Sequence, residues 1–387
     1  MGLIVVAGAL ANKPGNGGAA WTRLSWALGF KRLGHEVWFM EQIAPEVCTD
    51  LRGGRCDLDR SVNVSYFTEV TQRFGLGTTA ALISVADGRP IGAPAMELDS
   101  VADAADLLVN ISGHLSLEPL KSRFRKRVFI DLDPGYTQFW HAQGIAEEKL
   151  VDHHAYFTIG ENIGRSGCPI PTGDINWRAI RQPVVVDDWP VATATSPGRF
   201  TTIASWRGPY GRITHDSTHF GLRVHEFRKF IALPTVTKYP FEIAVDIDSS
   251  DRIDRENLLQ HHWQIVEPKE VAGDPFAFRR YVQQSGAECS IAQGIYVETQ
   301  CGWFSDRTVR YLASGKPALV QDTGFGRAYP TGCGLVPFRT LEDAANGADH
   351  IMRDYASHSQ AARAIAQEFF DSDKVLGGLL QEMGVRS

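Results

Sequence analysis

The stretch from Phe304 to Val320 permits few local folds. Ser305 is a good helix N-cap, because its hydroxyl accepts a bond from one of the backbone N–H groups that the first turn leaves without a partner. Phe304 before the cap and Val309 after it form a hydrophobic staple that fixes the angle at which the chain enters the helix. Gly315 suits the left-handed position that ends a helix, and Pro317 stops the helix from resuming. This punctuation predicts a helix from about Asp306 to Ser314. The residues that follow, Ala318-Leu319-Val320, are apolar and partly β-branched, as expected of a strand in a parallel sheet covered on both faces.

The same stretch carries chemistry. Arg307 and Arg310 fall in the first turns of the helix, where free N–H groups and the positive end of the helix dipole favour an anion. An arginine adds bidentate bonds, so this helix start is a natural seat for a phosphate. The alternative is a surface helix with two solvated arginines.

The beginning of the chain repeats the α/β pattern. Leu3 to Ala7 reads as a strand, residues 8 to 18 as a loop rich in Gly, Asn and Pro, and Ala19 to Leu33 as a helix with Trp21, Leu24 and Leu28 on one face. Gly34 ends that helix, and Val37 to Met40 is the next strand. This β-α-β opening starts a doubly wound parallel sheet. Within it, Gly15-x-Gly17-x-x-Ala20 fits the dinucleotide fingerprint, and Glu41 stands near where an acid would bind a ribose. In that fingerprint the first Gly follows the strand directly, whereas Gly15 stands seven positions beyond Gly8.

Further strands are expected at 106–111, 128–132 and 155–159, and a second strand–helix series begins at Phe200 to Ser205. Ligands of open parallel sheets sit beyond the carboxyl ends of the strands. His114 and Asp133 fall at such ends. An imidazole there can take a proton from an acceptor hydroxyl, and a carboxylate there can line the cleft or merely cap a turn. Asp-x-Asp occurs three times, at 57–59, 131–133 and 246–248, in unrelated contexts, so no metal site is assigned. The Thr, Ser, Pro and Gly cluster at 192–198 is the expected domain linker. Residues 42–100 offer only a helix around Tyr66 to Phe74.

At 387 residues the chain exceeds the size at which one core keeps growing, so two domains are expected, 1–190 and 199–370, with residues 371–387 as a terminal helix. A formal net charge of −6 argues against a general nucleic-acid binder. The first eleven residues lack the basic flank of a secretory signal, and no stretch is long and apolar enough to span a membrane, so a cytoplasmic protein is expected. Six cysteines without Cys-x-x-Cys spacing do not make a disulfide framework, although Cys48 and Cys56 lie close enough to test for a bridge.

The run from Gly294 through Phe338, with its loop, helix, Gly-x-Pro and strand, resembles the donor-binding region of GT-B glycosyltransferases, and the tail at 361–372 is similar to bacterial family 1 and family 4 sequences. The resemblance implies two Rossmann-like domains facing one cleft, with the final helix returning to the first domain. It implies transfer of a sugar from a nucleoside diphosphate sugar to a hydroxyl or amine, with no metal or other cofactor. Ser305, Asp306, Arg307 and Thr308 would then hold the donor, helped by Asp322, Thr323 and Gly324 beyond the next strand. Arg207, just after the first strand of the second domain, would neutralise the diphosphate together with Arg212 or Arg223. Asn16, Gly17 and Gly18 would border the cleft with Asp133, and His114 would be the base. One departure concerns the glutamate pair usual in retaining family 4 enzymes: its places are taken by Gly302 and Arg310, so retaining chemistry is not implied. A nucleotide-sugar epimerase, a non-catalytic sugar-nucleotide binder and, more distantly, an NAD oxidoreductase are the alternatives.

Overall fold

The computed structural model describes residues 2–92, 95–192 and 198–385. The expected linker at 192–198 therefore lies, apart from its two ends, outside the described residues. The first sheet comprises β1 (Leu3–Ala7), β2 (Glu36–Ile43), β3 (Ala80–Ser84), β4 (Pro90–Ile91), β5 (Leu107–Ile111), β6 (Arg127–Asp131), β7 (Ala155–Thr158) and β8 (Trp177–Ala179). Its order is β4-β3-β2-β1-β5-β6-β7-β8, parallel except for the β3–β4 pair. The second half runs β9 (Phe200–Ser205), a hairpin of β10 (Thr214–His215) and β11 (Thr218–His219), β12 (Phe241–Asp246), β13 (Gln264–Val266), β14 (Ala287–Ser290), β15 (Ala318–Gln321) and β16 (Leu335–Phe338). Its six-stranded sheet has the order β13-β12-β9-β14-β15-β16 and is parallel throughout.

The central strands are short apolar runs because helices cover both their faces. Ile4, Val5, Val6 and Ala7 of β1, like Ala318 and Leu319 of β15, are wholly buried. In each sheet the strand order reverses beside the strand that starts it, between β1 and β5 and between β9 and β14. These are the topological switch points beyond which ligands bind.

The predicted Ser305-capped helix is present at Asp306–Ala313, with the Ser305 hydroxyl accepting from the Arg307 N–H at 3.2 Å and Gly315 at φ +67°. The first helix, Gly17–Arg32, differs from expectation. Instead of one apolar face it buries eleven of its residues, around the whole circumference. Three layers press on it: the first sheet, the C-terminal helix Ser372–Glu382, and the helix Pro275–Gln284 of the second domain. Gly29 leaves no room for a side chain, since an added Cβ would stand 2.5 Å from Leu376. Trp21 donates through Nε1 to the Pro275 carbonyl at 2.7 Å and packs on Trp189 at 4.9 Å. The core is thus continuous through the seam between the domains.

The chain crosses that seam twice, and the crossings pair. The Val184 N–H donates to the Phe370 carbonyl at 2.8 Å, and the Ser372 N–H to the Val184 carbonyl at 2.9 Å. The helix that follows packs on Gly17–Arg32 of the first domain. Cys48 and Cys56 are both free thiols. Among the described residues no helix is long and apolar enough to cross a membrane.

Candidate functional site

Between the two sheets lies a cavity of about 650 Å³, bordered by the carboxyl ends of strands from both domains. On the N-terminal side Lys13 and Asn16 from the loop after β1, Arg23 from the first helix, and Asp133 beyond β6 line it. On the C-terminal side the walls are Ser205 at the end of β9, Arg223, Asp246, and the helix start Ser305-Asp306-Arg307. Of the residues singled out in the sequence, Asn16, Gly18, Asp133, Ser305, Asp306 and Arg307 are therefore brought together.

Arg307 is already committed. Its Nε donates to Glu288 Oε1 at 2.6 Å, Nη1 to the Ile203 carbonyl at 2.6 Å, and Nη2 to Ser290 Oγ at 2.7 Å. Its side chain is 12% exposed, and that of Glu288, inside β14, is wholly buried. Burial drives the Glu288 carboxyl above the usual carboxylate range, and the arginine opposes that shift. Arg307 thus ties the helix start to two strands, β9 and β14, and also lines the cavity. Asp306 is also engaged, accepting from Thr22 Oγ1 of the other domain at 2.6 Å and from Arg310 Nη1 at 3.2 Å.

Of the two basic residues left open in the sequence, Arg223 lines the cavity, whereas Arg212 is exposed and does not line it. Arg223 Nη1 donates to the carbonyl and hydroxyl oxygens of Ser205 at 3.1 and 3.2 Å, its Nε is buried without a partner, and among the described residues no carboxylate forms an ion pair with it. Burial first, and the neighbouring Arg307 second, push its pKa down to about 10, so it remains a cation at neutral pH. Two guanidinium groups on one wall, one of them without a counter-charge, create a demand for an anion.

Several predicted residues lie elsewhere. Arg207 does not line the cavity; its side chain is 54% exposed and forks onto Asp251 at 2.6 and 2.5 Å. Its neighbour Trp206 is buried instead, donating through Nε1 to Asp254 at 3.0 Å. Thr308 is wholly buried beneath the helix. Asp322 pairs with Arg339 at 2.6 Å, Thr323 is buried, and the Gly324 carbonyl accepts from Asn162 Nδ2 at 3.1 Å. None of the three lines the cavity; Asp322 and Thr323 are held within the second domain, and Gly324 meets the first domain through Asn162. Gly17 faces the second domain and not a ligand: a Cβ there would stand 2.1 Å from the Asp274 carbonyl oxygen.

His114 sits after β5 as expected but behind the cavity wall, since Ser112 and Gly113 turn the chain through φ values of +55° and +64°. Burial, then Arg23 and Lys13, push its pKa down to about 3. A proton acceptor that weak is poorly matched to neutral pH. Asp133 takes its place in the cavity. Its Oδ2 accepts from Tyr210 of the second domain at 3.0 Å, and burial raises its pKa against the pull of Lys13, Tyr210 and Arg23. Glu41 has no ribose to meet: its oxygens accept from the N–H groups of Leu10 and Ala11 at 2.7 Å and of Asn12 at 2.8 Å, which clamps the loop after β1. Sequence reasoning missed Lys13, Arg23 and Tyr210. For Arg23 there was a signal, a basic residue among apolar neighbours in a helix.

Two doubly wound domains, a cleft at both switch points and a C-terminal helix returning to the first domain define the GT-B fold of glycosyltransferases. Among solved structures the chain is similar to an alpha-glucosyltransferase in complex with UDP and DNA, at 12% identity and TM-score 0.61, covering 99% of this chain and 100% of that one. HepE of Anabaena in complex with UDP-glucose matches at 11% identity and TM-score 0.60, with 99% of each chain covered. Sucrose-phosphate synthase of Thermosynechococcus elongatus matches at 11% identity and TM-score 0.55, again over 99% of each chain. No protein-family model and no curated protein matches the sequence. At this level of identity the likeness carries the fold.

Proposed function

We propose that the protein transfers a glycosyl group from a nucleoside diphosphate sugar to an acceptor hydroxyl or amine. The observation that carries this reading is Arg223, an unneutralised cation beside Arg307 at the Asp306–Ala313 helix start, facing Asp133 across the cavity. In the transfer, the acceptor oxygen or nitrogen bonds to the anomeric carbon as the bond from that carbon to the β-phosphate oxygen breaks. The electron pair leaves with the nucleoside diphosphate, where negative charge grows. Arg223, Arg307 and the helix N–H groups stabilise that charge, so the reaction proceeds without a divalent metal. The acceptor proton passes to Asp133. The UDP and UDP-glucose in the complexes of the solved neighbours support a uridine donor as the first to test.

Titration with UDP in the presence of EDTA tests the donor half. The expected result is binding that Arg223→Met weakens by about 10- to 100-fold, the loss of one charge-assisted bond at roughly 1.5–3 kcal/mol. Equal UDP affinity in the variant would remove Arg223 from the site. Turnover of UDP-sugar in the absence of any acceptor would point instead to epimerisation.

A further inference from the structure

The transfer as described leaves two cations on the N-terminal wall unused. Lys13 lines the cavity and, among the described residues, its ammonium forms neither a hydrogen bond nor an ion pair, while its backbone N–H donates to the Leu10 carbonyl at 3.1 Å. Arg23 is only 7% exposed, also lines the cavity, and makes a single weak hydrogen bond, Nη1 to the Ala19 carbonyl at 3.3 Å, while its Nε is buried without a partner. The nearby carboxylates Asp133, Asp306 and Glu41 act on both cations through space, but their hydrogen bonds go to other groups. Glu41 is held by backbone N–H groups, Asp306 by Thr22 and Arg310, and Asp133 by Tyr210. None forms an ion pair with either cation.

Two like charges facing one space at low exposure repel each other unless an anion lies between them. The site is also built rather than incidental. Glu41 clamps the loop that presents Lys13, and Arg23 rises from a helix buried on all sides, so neither cation is a loose surface charge. The position is the β1–β5 switch point of the first domain, across the cavity from Arg223 and beside Asp133.

We propose that the acceptor carries an oxyanion, a phosphate or a carboxylate, which Lys13 and Arg23 hold so that its hydroxyl lies against Asp133. The inference rests on the glycosyl-transfer reading and names its acceptor class. The donor diphosphate occupies the opposite wall, so the two anionic groups bind separate cation pairs.

Calorimetric titration with inorganic phosphate, with and without saturating UDP, tests this in the wild type and in Lys13→Met. The wild type should bind phosphate in both conditions. Lys13→Met should bind it about tenfold or more weakly, the loss of one charge-assisted contact, with UDP affinity unchanged. Lys13→Gln, which keeps a polar chain in the loop, serves as the second variant. No phosphate binding by the wild type, or binding that neither variant weakens, would overturn the proposal. So would a tenfold loss of UDP affinity in the variants, which would assign these cations to the donor. Absence of UDP binding in the wild type would remove the donor reading, while the phosphate titration would still decide the anion site. A final comparison uses UDP-glucose with a hexose, its 6-phosphate and the corresponding uronic acid. The phosphate or the uronate should be glycosylated in preference to the parent hexose, and equal use of the neutral sugar would refute an anionic acceptor.

Discussion

Removing the Arg307 side chain should destabilise the protein far more than the loss of a phosphate contact would suggest. The Arg307 guanidinium makes three hydrogen bonds of 2.6, 2.6 and 2.7 Å, to Glu288, Ile203 and Ser290, and its carboxylate partner has no exposure to water. In Arg307→Ala, Glu288 becomes an uncompensated charge inside a six-stranded sheet. Breaking a buried pair from one side costs about 3–5 kcal/mol. At roughly 2–4 °C per kcal/mol for a domain of this size, the transition of the C-terminal domain should fall by on the order of 10 °C in scanning calorimetry. Two controls separate this cause from a general packing defect. Adding Glu288→Gln should recover a large part of the loss, because the buried charge is gone. Acidification should narrow the gap between Arg307→Ala and the wild type. The orphaned Glu288 has a folded pKa above its unfolded value, so the folded variant binds more protons than the unfolded chain, and its stability rises as pH falls through that range. A single variant within about 1 kcal/mol of the wild type, or a double variant no more stable than the single, would refute the argument.

Three other outcomes follow from the same geometry. Asp133→Asn should lower turnover by about two to four orders of magnitude with UDP affinity retained, and wild-type turnover should rise with pH through the elevated pKa of Asp133, because only its ionised form accepts a proton; full turnover by the variant would exclude the role. Gly17→Ala should destabilise the closed arrangement by about 1–3 kcal/mol in urea unfolding, since its Cβ would stand 2.1 Å from the Asp274 carbonyl oxygen, whereas Gly377→Ala, with open space around it, should have no such cost. Lys13, whose pKa is pushed down to about 8 by Arg23 and by burial, should lose its charge as pH rises through that value, so phosphate affinity should decline there; affinity constant up to about pH 9.5 would contradict this.

The helix at Asp306–Ala313, its cap, its terminating glycine and the strand after it were legible because each depends on residues a few positions apart. The same holds for β1, β9 and the β-α-β opening, whose apolar runs report burial directly. In residues 42–100 only the helix around Tyr66 to Phe74 was legible, and it is present at Val62–Arg73. The strand at Ala80–Ser84 is fixed by pairing with β2, and nothing local marks that partner. The first helix lost its expected single face because a second domain, distant in sequence, covers the side that would otherwise meet water.

The site divides in the same way. The sequence by itself determined that a capped helix runs into a parallel strand and that the chain is α/β, since both rest on capping chemistry and periodicity. Only the tertiary structure decided which charges are free. Arg307 is paired because Glu288 lies on the adjacent strand, Arg207 pairs with Asp251 outside the cavity, and His114 is half-buried away from the cavity lining. Arg223, Arg23, Lys13 and Asp133 line the cavity, and among the described residues none of them forms an ion pair. A charge is functional or structural according to what stands within a few ångströms of it, and that distance is set by packing between segments far apart in the chain.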